Sequence, residues 1–269
     1  MRISHYLFFL LEFIIWSKEE IYVKKIFYTF ILFLTLMIGT NSVSASTNYV
    51  NSNGVEFTNQ QYEFITNMYY DGYQELMTQN DLDKMIELDL FNQPIISVES
   101  NNGLQFGGSY MINGSTVTQN GVTTKITKAC TTQCLVTLKA TWSLIPTTNS
   151  YDVIGFRLAN NATINNINIA TITGNNYSVT YQPSSAQQFS NGFGYSVKLG
   201  NTLGMKITTS MYTSTSGTIY GSYQHATSNV TLATSQMYTI SPSGFGNVFA
   251  FYGAALLKYN NAVGVDITL

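Results

Sequence analysis

Beyond residue 99 the chain is almost without carboxylates: Asp152 and Asp266 are the acids of that stretch, and it holds no glutamate. Glycoside hydrolysis typically needs two carboxyls flanking one cleft, so it would require Asp152 to meet Asp266 or Glu99. Histidine is as scarce, since His225 is the one histidine after residue 45. A general base needs an orienting carboxylate and a nucleophile beside it, and neither G-x-S-x-G nor H-E-x-x-H occurs in the chain. A hydrolase is therefore kept only as the last alternative, and no catalytic residue is assigned. Cys130 and Cys134 are the only cysteines, and two thiolates cannot complete a tetrahedral zinc site; we expect no metal and no cofactor. Seven bases spread without a cluster over residues 100–269 lack the dense basic stripe of a nucleic-acid binder. After residue 45 no stretch reaches the roughly 18 apolar residues of a membrane-spanning helix.

What the N-terminus does contain is the anatomy of a secretory signal. Val23-Lys24-Lys25 is a basic start, Ile26 to Ile38 is apolar apart from Thr29 and Thr35, and Val43-Ser44-Ala45 is a small-x-small cleavage site. Residues 1–22 do not fit that anatomy. Glu19 and Glu20 precede the basic start, and Tyr6 to Trp16 is a second apolar patch. We expect a signal over 23–45, an upstream extension over 1–22 and an exported product beginning near Ser46.

Charge divides the remainder. Residues 46–99 carry nine acids against Lys84 alone, a balance of −8, whereas residues 100–269 carry seven bases against two acids, a balance of +5. Such a split suggests two pieces, the acidic one packing on the basic one. In the first piece, residues 46–94, Thr58 and Gln61 have capping-box spacing, and Phe57 and Tyr62 are placed as a hydrophobic staple. Tyr62, Ile65, Tyr69, Tyr73 and Leu76 recur at helical spacing, and Thr78 with Asp81 starts a second short helix. Pro94 ends the helical piece.

Residues 95–269 read as strand and turn. Val136, Leu138, Ala140 and Trp142 alternate with Thr137, Lys139, Thr141 and Ser143, the period of a half-buried strand. After a turn at Pro146 to Ser150, Ile154, Phe156 and Leu158 repeat the pattern. Val136, Leu138, Trp142, Ile154 and Phe156 are the expected core. Further strands are expected over Leu104–Met111, around the Asn120-Gly121 turn, and at about a dozen places in all. Their number and even spacing argue a mainly β fold, an antiparallel sandwich or barrel-like domain preceded by a short two-helix segment. Cys130 and Cys134 enclose three residues, so pairing them demands a sharp turn at Thr131 to Gln133. An even pair in an exported protein suggests a disulfide, with free thiols the alternative.

Two readings of function follow. Tyrosine offers an apolar body with a polar tip, and Tyr212, Tyr220, Tyr223 and His225 are candidates for a binding face on a sheet. Residues 203–226 offer the alternative, two Thr/Ser-rich amphipathic strands around a turn at Ser214 to Gly217, the raw material of a membrane-inserting hairpin. Ser150-Tyr-Asp-Val-Ile-Gly155, Tyr223-Gln-His-Ala226 and the lysine-led signal resemble small exported proteins of low-GC Gram-positive bacteria with no assigned activity. That resemblance implies secretion. The expectation is a secreted, non-enzymatic module whose partner is an extracellular ligand, a cell wall or a membrane surface, with a pore-forming-like protein as runner-up.

Overall fold

The computed structural model describes residues 48–101, 121–168, 179–181, 185–242, 248–260 and 263–269. The expected signal, the strand over Leu104–Met111 and Asn120 of the Asn120-Gly121 turn lie outside these residues. In chain order the first elements are strands β1 (Tyr49–Val50) and β2 (Glu56–Phe57), then helices α1 (Asn59–Met68) and α2 (Gln79–Glu87). Both helices open with the capping box read from the sequence: Thr58 Oγ1 accepts from Gln61 N, Thr78 Oγ1 from Asp81 N, and each third residue reaches back to the cap. Two orphan N–H groups are thereby satisfied at each start. Phe57 and Tyr62 both meet the Tyr49 ring, at 6.0 and 5.0 Å between centroids.

Strands follow: β3 (Ile96–Asn101), β4 (Val122–Cys130), β5 (Cys134–Trp142), β6 (Tyr151–Ala159), β7 (Ile164–Asn168), β8 (Val179–Tyr181), β9 (Gln187–Phe189), β10 (Gly192–Leu199), β11 (Lys206–Thr213) and β12 (Thr218–Gln224). A one-turn helix α3 (Leu232–Ser235), the pair β13 (Tyr238–Ile240) and β14 (Phe249–Phe251), and β15 (Val263–Thr268) complete the described elements. They form an antiparallel sandwich and not a closed barrel. The first sheet runs β3-β4-β5-β11-β7; the second runs β15-β12-β6-β10-β8, with β9 beside β10.

The inner faces of the two sheets bury Val136, Leu138, Trp142, Ile154 and Phe156, joined by Tyr195, Met211, Tyr223 and Val265. The sheets approach each other closely where β12 carries Gly221. A Cβ there would lie 2.8 Å from Leu138 Cδ1, so the approach depends on the missing side chain. A second layer covers each outer face. The helical segment buries Phe64, Ile65, Met68, Tyr69 and Tyr73 against Ala129, Leu135 and Tyr212 of the first sheet. The β13–β14 hairpin buries Tyr238, Ile240 and Phe249 against Val153 and Tyr220 of the second.

Residues 203–226 are not a hairpin. β11 pairs with β5 and β7, while β12 pairs with β6 and β15, so the Ser214–Gly217 turn carries the chain from one sheet to the other. Every residue of β12 is buried, which holds the segment as an integral part of both sheets. Among the described residues no helix is long and apolar enough to cross a membrane.

Candidate functional site

Cys130 and Cys134 are bonded across the β4–β5 turn, with Cα atoms 4.0 Å apart. The bond fixes register, because residues equally far from the two cysteines face each other on neighbouring strands. Five residues away on each strand stand Lys125 and Lys139, directly opposed, and Glu99 of β3 faces Lys125 from the other side. Lys206 opens β11 opposite Thr141, and Thr141 in turn faces Thr123. The first sheet thus presents three lysines to the end of α1. There the chain leaves the helix through Tyr69 and Tyr70 and turns at Gly72, whose φ of +99° suits glycine. Between helix end and sheet lies a groove of about 370 Å³ lined by Tyr69, Tyr70, Asp71, Glu99, Lys125, Lys139 and Lys206, with Thr123 and Thr141.

The sheet also tethers the helix. Thr137 Oγ1 donates to Met68 O at 2.6 Å and Lys139 Nζ donates to Asn67 O at 3.0 Å. These contacts satisfy carbonyls at a helix C-terminus, where a cation is favoured. Even so, burial pushes the Lys139 ammonium down to about 8, and the neighbouring charges of Lys125 and Lys206 lower it further against a smaller opposing pull from Glu99. Lys206 also lies 5.9 Å from the Tyr70 ring centre, within cation–π range. Like charges directly opposed on neighbouring strands destabilise a sheet. Three lysines stand against the two carboxylates of Asp71 and Glu99 in the groove, leaving one positive charge in excess that an anionic group seated there would meet.

A second cluster lies inside the sandwich. Asp152 on β6 is fully buried. Its carboxylate accepts a short hydrogen bond from Tyr223 Oη, one from His225 Nδ1 at 2.9 Å and one from Ala226 N at 3.0 Å. Tyr223 Oη in turn accepts from Trp142 Nε1 at 2.9 Å, and the Trp142 and His225 rings meet edge to face at 4.8 Å. Desolvation raises the Asp152 carboxyl above the usual range, opposed by its three donors. The pair has the carboxylate–imidazole half of a catalytic triad, but no serine, threonine or cysteine hydrogen-bonds His225 among the described residues. Its visible work is to tie β12 to β6 and to the strand-end loop at Ala226.

The expected tyrosine face does not exist as a surface. Tyr212, Tyr220, Tyr223 and His225 are 2, 8, 0 and 5% exposed. Tyr212 lies under the helical segment and Tyr220 under the β13–β14 hairpin. The Arg157 guanidinium lies over the Tyr220 ring, 4.2 Å from its centre. The groove lysines were not singled out from the sequence, although the cysteine spacing alone places Lys125 opposite Lys139 once the disulfide is accepted. No protein family, curated protein or solved structure matches the chain, so the groove and the buried cluster are read from their own geometry.

Proposed function

We propose that this is an exported, non-catalytic binding protein whose extracellular ligand presents an anionic group to the groove of Lys125, Lys139 and Lys206. The observation that carries the reading is the directly opposed pair Lys125–Lys139, half-buried beneath the end of α1 and joined by Lys206 in the same groove. Export is supported by the basic-apolar-small pattern of residues 23–45. The disulfide agrees with it, since such bonds persist in oxidising compartments. A non-catalytic role is supported by Asp152, whose carboxylate is buried and taken up by three donors.

Titration calorimetry at low salt with tripolyphosphate and with citrate tests the reading, with a neutral oligosaccharide as control. Saturable anion binding that is lost in Lys125→Ala/Lys139→Ala and weakened by salt is expected. Absence of saturable binding to both anions, or equal binding by the double variant, refutes it. Exported location is checked separately by recovering the chain, processed after Ala45, from culture medium.

A further inference from the structure

We infer that one end of the sandwich docks on an anionic lipid surface. Strand direction brings its parts together. Lys206 of β11 faces Thr141 at the close of β5, Lys198 of β10 faces Tyr151 at the start of β6, and Tyr223 near the end of β12 faces Val263 at the start of β15. The Trp142–Tyr223 hydrogen bond ties these ends of the two sheets to each other. The connections leaving this end carry Leu144, Ile145, Leu203, Tyr252, Leu256 and Leu257, exposed by 49, 52, 54, 50, 58 and 89%. The 252–260 loop is fastened there, because Thr227 N donates to Lys258 O and Tyr259 Oη to Tyr151 O.

Leu257 is the most telling. It is the most exposed large apolar side chain among the described residues, yet its backbone sits at φ +69°, a conformation that disfavours any residue with a Cβ. Neither burial nor backbone preference explains a leucine in that place, and strain of this kind gathers where function demands it. The charge at this end points to the occupant. The connecting residues 143–150, 200–205, 225–237 and 252–260 contain no carboxylate. Lys258 beside the leucines and Lys198 at the end of β10 are exposed. Exposed aliphatic side chains at the same end as Lys198 and Lys258, with Tyr252 among them, match the boundary between acyl chains and anionic headgroups. Protein–protein interfaces are depleted in lysine and enriched in arginine. This inference rests on the exposed loops and not on the groove, and either can fail without the other.

Co-sedimentation of the full chain with phosphatidylcholine vesicles, with and without phosphatidylglycerol, tests it. The wild type is expected to partition onto the anionic vesicles and to be released by salt. Leu256→Ser/Leu257→Ser should lower the partition coefficient by about tenfold or more, the worth of one or two withdrawn leucines. Lys258→Ala should lower it about fivefold. Leu257→Gly should weaken partitioning while raising the melting temperature, since glycine relieves the left-handed backbone. Lys125→Ala/Lys139→Ala should lose tripolyphosphate binding and keep vesicle binding. Failure of the wild type to sediment with anionic vesicles overturns the inference, as does equal partitioning by the serine variants. A concentration-dependent dimer abolished by the same leucine substitutions, without vesicle binding, would assign this end to self-association instead and overturn it too.

Discussion

Replacing Lys139 by Met should stabilise the protein at neutral pH. Lys139 is held half-buried among like charges, and its ammonium is pushed from 10.5 to about 8 by burial first and by Lys125 and Lys206 second. A displacement of that size corresponds to roughly 3 kcal/mol against the charged form; partial contact with water reduces the expected gain to about 1–2 kcal/mol. Methionine keeps the aliphatic stem. The hydrogen bond from Nζ to Asn67 O is lost, but Asn67 is exposed and its carbonyl can turn to water. The sign of the pH dependence follows from the lowered value. Between about 8 and 10.5 the unfolded chain binds more protons at this site than the folded one, so the wild type gains stability as pH rises through that window. Below it the cost is fully present, and above it the cost is gone. Urea unfolding of both proteins from pH 7 to 10.5 should show the Met variant ahead at pH 7 and the difference closing toward 10.5. Buried tyrosines such as Tyr69, pushed up to about 12 by burial, titrate in both proteins and cancel in the comparison. A Met variant less stable at pH 7, or an offset that stays constant across the range, refutes the reasoning.

Three other outcomes are expected. Cys130→Ser/Cys134→Ser should cost about 2 kcal/mol in denaturant unfolding, the low end for disulfides, because the bond closes a very short loop. Asp152→Ala strands the Tyr223 hydroxyl, the His225 imidazole and the Ala226 N–H in the interior; a loss of about 3–5 kcal/mol is expected, with a changed near-ultraviolet signal from Trp142. Gly221→Val should lower the melting temperature by an amount equivalent to about 1–3 kcal/mol, since its Cβ meets Leu138 across the core. A valine variant that melts with the wild type would show that the sheets can part there freely.

Local rules were legible wherever the answer is local. The two capping boxes, the common facing of Val136, Leu138, Ala140 and Trp142 and the tight turn between the cysteines depend on neighbours within a few residues, and the structure has each of them, although Thr137 on the other face is buried too. The segment 203–226 was misread because turn chemistry at Ser214–Gly217 serves a hairpin and a sheet-to-sheet crossing equally well. Pairing decides between them, and the partners Thr141 and Arg157 lie far away in the chain. The tyrosines were misread for a related reason. Their spacing shows that they leave the strand on a given face, but not that a helical segment covers Tyr212, a hairpin covers Tyr220 and the facing sheet covers Tyr223. The lysine groove was hidden because its members are 14 and 67 positions apart and converge only through strand register.

The crossing between sheets has a consequence for how the polypeptide can be made. β5 waits for β11 to close its open flank, and β6 lies between β10 and β12, all of which emerge later. A nascent chain that has yielded only its first half holds fragments of two unfinished layers, each with apolar strands and unsatisfied amides on display. Loop closure over such distances makes maturation slow. Severing the chain between β7 and β10 should therefore leave two pieces that regain order only by finding each other.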